Sequence, residues 1–99
     1  MSGDRRGGID AEELLGSRGR IRVLRVLAES GGLNITEVAR KTGMNYTSVE
    51  RHLEKLKGLG LLREKRYGKI RIFEATFRTV VIRFERGKGV RVEKTPDRT

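Results

Sequence analysis

Two groups of side chains in this 99-residue chain have the types and spacing to grip an anion or read a polar edge. The first is Asn45, Tyr46, Thr47, Ser48, Glu50, Arg51 and Lys55, a short stretch that mixes hydroxyls, an amide, a carboxylate and cations. The second is Arg63, Lys65, Arg66, Lys69 and Arg71, which surround a Tyr67-Gly68 pair beside the acid Glu64. A guanidinium can hold phosphate or a base edge in a bidentate fashion, while an ammonium acts as a point charge. Other chemistries lack their residues. Cys is absent, which excludes disulfides, a thiolate metal site and a thiol redox switch. The one histidine, His52, sits one turn from Val49 and beside Leu53, the place of a packing residue rather than of a ligand or a general base. No glycine-rich phosphate loop follows a strand and no GxSxG occurs, so neither an enzyme nor a bound metal or cofactor is expected.

The first group must be positioned by the stretch from Thr36 to Leu59, TEVARKTGMNYTSVERHLEKLKGL. Thr36 is the expected N-cap of a short helix, with Val38 and Ala39 turned inward. Gly43 supplies the positive φ that ends it. Asn45 caps a second helix, on which Val49, Leu53 and Leu56 share one stripe and leave Tyr46, Thr47, Glu50, Arg51 and Glu54 off it. The order Ala39, Gly43, Val49 suits two helices joined by a tight turn, a helix-turn-helix or, with no nucleic-acid role, a plain αα-hairpin. After Gly58 and Gly60 the period changes to two in LLREKRYGKIRIFEA, which predicts a hairpin about Tyr67-Gly68 with Leu62, Ile70 and Ile72 on its inner face. The second basic group clusters at its tip, against one acid.

Upstream, residues 1–8 have nothing to bury and are expected to be a disordered tail, in which Arg5 and Arg6 could serve as a minor-groove arm. Asp10 and Glu13 resemble a capping box before Leu14 and Leu15, and this short helix should end near Gly16. Ser17 then caps a helix from Arg18 to Ser30, with Ile21, Leu24, Val26 and Leu27 inward, Val23 near the edge, and Arg18, Arg20, Arg22 and Arg25 largely outward. Leu33-Asn34-Ile35 is a brief extended piece, suited to be a third strand. Downstream, Phe77, Val80, Val81 and Phe84 fit the face of a helix, the favoured reading and a seam for dimerisation. Val80, Ile82 and Phe84 also alternate, and Val90 with Val92 beyond Gly87-Lys88-Gly89 would complete a hairpin instead. Residues 95–99 should fray.

Lys and Arg number 23 against 13 Asp and Glu, a net charge of +10, which points to a polyanionic partner without separating DNA, RNA and anionic membrane. No apolar run is long enough to span a bilayer and residues 1–10 contain no signal-peptide core, so a cytoplasmic protein is expected, with no membrane partner. The absence of Gln and the high charge content resemble a hyperthermophile's bias. A chain this short gains from extra core supplied by a second copy, so a homodimer is expected.

Leu15 to Ala75 resembles the ArsR-like winged-helix family of prokaryotic, especially archaeal, transcription regulators. SRGRIRVLRVL is similar to that family's helix before the motif, TSVERHLEKLKGLGLL to its recognition helix and exit, and REKRYGKIRIFE to its wing. The resemblance implies an α+β winged helix-turn-helix with a three-helix core and a hairpin wing over residues 9–76. Residues 77–94 follow as a dimerisation helix or hairpin, and 95–99 as a tail. It also implies a sequence-specific double-stranded DNA-binding regulator. On that reading Asn45 to Lys55 enters the major groove, Arg51 reaches guanine, Glu50 accepts from cytosine, and Arg66 and Lys69 hold backbone or minor groove. The alternatives are an architectural nucleic-acid binder or a protein-interaction winged helix of transcription or replication machinery.

Overall fold

The computed structural model describes residues 8–97; Arg5 and Arg6 lie outside the described residues. Chain order gives α1 (Ala11–Leu15), α2 (Arg18–Glu29), β1 (Leu33–Asn34), α3 (Ile35–Thr42), α4 (Tyr46–Gly58), β2 (Leu62–Tyr67), β3 (Ile70–Ala75), β4 (Phe77–Glu85) and β5 (Gly89–Pro96). Each helix starts where a short polar side chain can satisfy a free amide. Asp10 Oδ1 accepts from the Glu12 and Glu13 amides at 3.0 and 3.2 Å, and Ser17 Oγ from Arg20 at 3.1 Å. At α3 the cap is Asn34, not Thr36. Its side chain accepts from the Glu37 amide while the Glu37 carboxylate accepts from the Asn34 amide, both at 2.8 Å. Strand β1 ends on Asn34, so the helix begins earlier than expected and leaves Thr36 exposed inside its first turn.

Gly43, at φ 74°, donates its amide to Ala39 at 2.9 Å and closes α3. Asn45 Oδ1 accepts from Ser48 at 2.8 Å and opens α4. The two helices with their tight turn pack on α2 around Leu14, Val23, Leu27, Val38, Val49, Leu53, Leu56, Leu61 and Phe73, all fully buried. Val23 is therefore central rather than at the edge, and Ile21 and Leu24 are only half-buried. Gly19 explains how closely α2 and α4 approach, since a Cβ there would stand 2.9 Å from His52 Nε2 and 3.0 Å from Met44 Cε.

Strands β2 and β3 form the antiparallel hairpin, and β1 adds to its far edge to give the order β1-β3-β2, with Leu33 opposite Phe73. The register pairs Leu62 with Ala75, Glu64 with Phe73 and Arg66 with Arg71, so these six share the face turned to the helices. Ile70 and Ile72 lie on the other face, and Ile70 is 53% exposed. Phe73 occupies the inner position expected of them. Because side chains alternate, placing Phe73 inside places Arg71 inside too.

The segment from Phe77 is a second hairpin, not a helix: β4 pairs with β5 in a separate two-stranded sheet. The β-branched run Thr79-Val80-Val81-Ile82 favours strand, and Gly87 and Gly89, at φ 81° and 83°, make the turn. Thr95 and Pro96, expected in a fraying tail, belong to β5, and the Asp97 amide donates to Thr76 at 3.3 Å. Lys94 Nζ anchors the hairpin by donating to Gly60 O at 2.6 Å and to Thr76 Oγ1 at 2.9 Å. Among the described residues no helix is long and apolar enough to cross a membrane.

Candidate nucleic-acid interface

With Val49, Leu53 and Leu56 buried, the 3.6-residue period of α4 distributes its other side chains over three strips. Thr47, Arg51 and Glu54 form the outermost strip. Tyr46, Glu50 and Lys57 face the β2–β3 hairpin, while Ser48, His52 and Lys55 face α1 and α2. Tyr46 is 50% exposed, and Thr47, Arg51 and Lys55 are exposed. Tyr46 shares an open groove of about 190 Å³ with Asn34, Ile35 and Thr36 at the start of α3 and with Lys69, Ile70 and Arg71 of the hairpin. The beginnings of two helices and the hairpin tip thus face one concavity.

Most of the candidate cations are paired. Arg63 and Lys65 contact Glu74 at 2.6 and 3.2 Å, and Arg66 contacts Glu64 at 3.0 Å. Lys55 contacts Glu13 of α1 at 2.9 Å. Among the described residues Arg51 and Lys69 have no carboxylate within ion-pair distance. The basic group of the hairpin therefore meets two acids of the hairpin itself, because Glu74, opposite Arg63 near its base, joins Glu64. The Arg63 and Lys65 contacts, the first the larger, hold the Glu74 carboxyl below its ordinary value.

Within the chain Arg71 and Glu50 meet one another. Arg71 was expected on phosphate and Glu50 on a base edge, but Arg71 Nη1 donates to Glu50 Oε2 at 3.0 Å and Nη2 to Glu54. Its Nε donates to Glu64 at 2.7 Å, and its guanidinium lies over the Phe73 ring, 5.2 Å from the centroid. Lys57 Nζ completes the cluster at 2.7 Å from Glu64 and 3.5 Å from Glu54. Glu64, with only 7% of its side chain exposed, is held at about pKa 2, first by the Arg71 hydrogen bond and then by Lys57. The inner face of the hairpin beyond Phe73 meets the charged strip of α4, so its side chains there are ionic.

His52 is half-buried, as a packing residue should be. Burial, then the nearby charges of Arg20 and Arg51, hold its pKa below the ordinary value. Its Nδ1 and Arg20 Nε have no partner among the described residues. Arg20 does not project outward: its Nη1 donates to the Glu13 carbonyl across to α1. Among the described residues no cluster of His, Asp and Glu could hold a metal ion. Of the four residues expected at a dimer seam, Phe77 and Val80 pack on the chain's own core. Val81 lies on the opposite face of β4, and Phe84 is 76% exposed. The helical spacing that grouped them has no counterpart in a strand.

The helix-turn-helix followed by a hairpin packed on its second helix defines the winged helix-turn-helix class, and the solved structures agree. A possible transcriptional regulatory protein (fragment 1–100) from Mycobacterium bovis matches at 30% identity and TM-score 0.58, over 64% of this chain and 67% of that one. The solution structure of the homodimeric winged helix-turn-helix DNA-binding domain Mb0332 from Mycobacterium bovis, a possible ArsR-family transcriptional regulator, matches at 30% and 0.57, over 64% and 57%. The AntR antimony-specific transcriptional repressor matches at 33% and 0.59, again over 64% and 57%. The match thus spans less than three fifths of the last two chains. A search of curated proteins finds no match. The family model HVO_A0114 matches residues 17–82, two thirds of the length, and the chain belongs to that family. The match starts at the Ser17 cap and ends within β4, so β5 lies beyond it.

Proposed function

We propose that the chain is an ArsR-like regulator that binds specific sites in double-stranded DNA as a cytoplasmic homodimer, and that it is not an enzyme. One observation carries this reading: the starts of α3 and α4 and the wing residues Lys69 to Arg71 open on the same groove. In the proposed complex α4 lies in the major groove. Its Tyr46 and Thr47 amides, which Asn45 leaves without an acceptor, meet a phosphate at the positive end of the helix dipole. Arg51 and Thr47 read base edges, and Lys69 holds the backbone or the minor-groove edge. Arg63, Lys65 and Arg66, already paired with wing acids, contribute a weaker field. Dimer contact falls to the β4–β5 hairpin around Phe84, the most exposed of the large apolar side chains described.

A binder that relied on charge alone would leave its cations free, which so many ion pairs oppose. The protein-interaction reading has one observation in its favour, the apolar outer tip of the wing, where Tyr67 and Ile70 are 61% and 53% exposed. Selection of sites from random duplex, repeated with Arg51→Ala, tests the proposal. A regulator prefers its own site by about 10³ or more over unrelated DNA. Arg51→Ala should lower that preference by about 1–3 kcal/mol at one position. No enriched site, or equal loss on every sequence, contradicts sequence reading by α4.

A further inference from the structure

A helix that approaches a polyanion should not present bare carboxylates, yet Glu50 and Glu54 lie on the wing side and outer side of α4, 42% and 45% exposed. Four residues apart, they also repel one another along the helix. Both are met by Arg71, which comes from a strand 21 and 17 residues further along the chain. The guanidinium fork is filled: Nη1 on Glu50, Nη2 on Glu54, and Nε on Glu64 of the neighbouring strand. Phe73 beneath and Glu64 beside it leave Arg71 little freedom, and 18% of its side chain is exposed. A lysine could not replace it, since one ammonium cannot span three carboxylates in fixed directions.

We propose that Arg71 is a positioning residue for nucleic-acid binding: it covers the negative charge of Glu50 and Glu54 toward an incoming duplex and fixes the wing at one separation from α4. The proposal rests on the DNA-binding reading. It removes Glu50 from base readout and leaves that task to Thr47 and Arg51. Arg71 itself touches no phosphate.

The test is a mutant cycle on binding to a labelled mixed-sequence duplex by fluorescence anisotropy at one salt concentration, with far-UV circular dichroism to confirm folding. Arg71→Leu should weaken binding by at least about tenfold, because Glu50 is then uncovered, Glu54 keeps only Lys57 at 3.5 Å, and both carboxylates oppose the backbone. Adding Glu50→Gln and Glu54→Gln should restore most of the loss, a larger gain than the same pair gives in the wild type. A merely structural role would leave the two gains equal. If Arg71 were a phosphate contact, the gain would be larger in the wild type, where removing the acids frees the arginine. Either result overturns the proposal, as does Arg71→Leu binding like the wild type. Should Arg71→Leu not fold, Arg71→Lys keeps a charge without the fork and is read by the same comparison. Wild type that binds no duplex removes the DNA-binding reading itself, whereas the wrong inequality in a wild type that binds removes only the role of Arg71.

Discussion

Replacing Glu64 by Gln keeps the shape of the ion cluster between α4 and the wing and removes the charge at its centre. Glu64 accepts from Lys57 at 2.7 Å, Arg66 at 3.0 Å and Arg71 at 2.7 Å, almost out of solvent. Breaking a buried pair by removing one partner costs about 3–5 kcal/mol. Here the partners keep other routes: Arg71 retains Glu50 and Glu54, Lys57 retains Glu54, and Arg66, 64% exposed, returns to water. The expected loss is about 2 kcal/mol, or roughly 8–16 °C in Tm for a domain of this size. Urea unfolding is the assay, since an uncharged denaturant does not screen the ion pairs, and the midpoint should fall with the slope unchanged. Acid adds a second reading. With Glu64 at about 2 in the fold against an ordinary 4.5, the unfolded chain binds more protons between those values. The stabilisation is present above pH 4.5 and is lost as pH falls toward 2, and Glu64→Gln lacks that dependence. A variant within about 0.5 kcal/mol of the wild type, with the same acid profile, would refute the assignment of this cluster as a structural tie.

Asn34→Ala should cost about 1 kcal/mol through the lost capping box, while Thr36→Ala should change stability by only a few tenths; thermal unfolding of both variants distinguishes the two caps. His52 is held neutral below its ordinary 6.5, so the unfolded chain takes up its proton first. Stability should therefore decline as pH falls through 6.5, and His52→Gln should flatten that step in Tm measured against pH. Phe84→Ser should shift sedimentation from dimer to monomer, with far-UV circular dichroism showing the fold retained; an unchanged dimer moves the contact elsewhere.

The helix-turn-helix was legible because local chemistry and period agree there: Gly43 at its positive φ, Asn45 as a cap, and Val49, Leu53 and Leu56 on one stripe all reappear in the fold. The cap at α3 was misplaced because Thr36 and Asn34 are both good caps, and only the pairing of Asn34 with Ile72 fixes where the strand stops. Phe77 to Lys94 satisfied two periods at once, and the turn at Gly87 with the β-branched run decided for strand. Arg71 illustrates what spacing could not give. Its sequence neighbours suggest an exposed basic tip, but its environment depends on the register of β2 against β3 and on which strip of α4 faces the wing. The acids at 50, 54 and 64 were visible as residues, and their convergence on one guanidinium was not.

Titration of the isotopically labelled protein with a short duplex, followed by amide chemical shifts, tests most directly whether helix and wing form one binding surface. The shifts should concentrate at the starts of α3 and α4, around Thr36, Tyr46 and Thr47, along Arg51, and at the wing tip from Tyr67 to Ile70. Shifts confined to the exposed α2 arginines Arg18, Arg22 and Arg25 or to the β4–β5 hairpin would contradict the account.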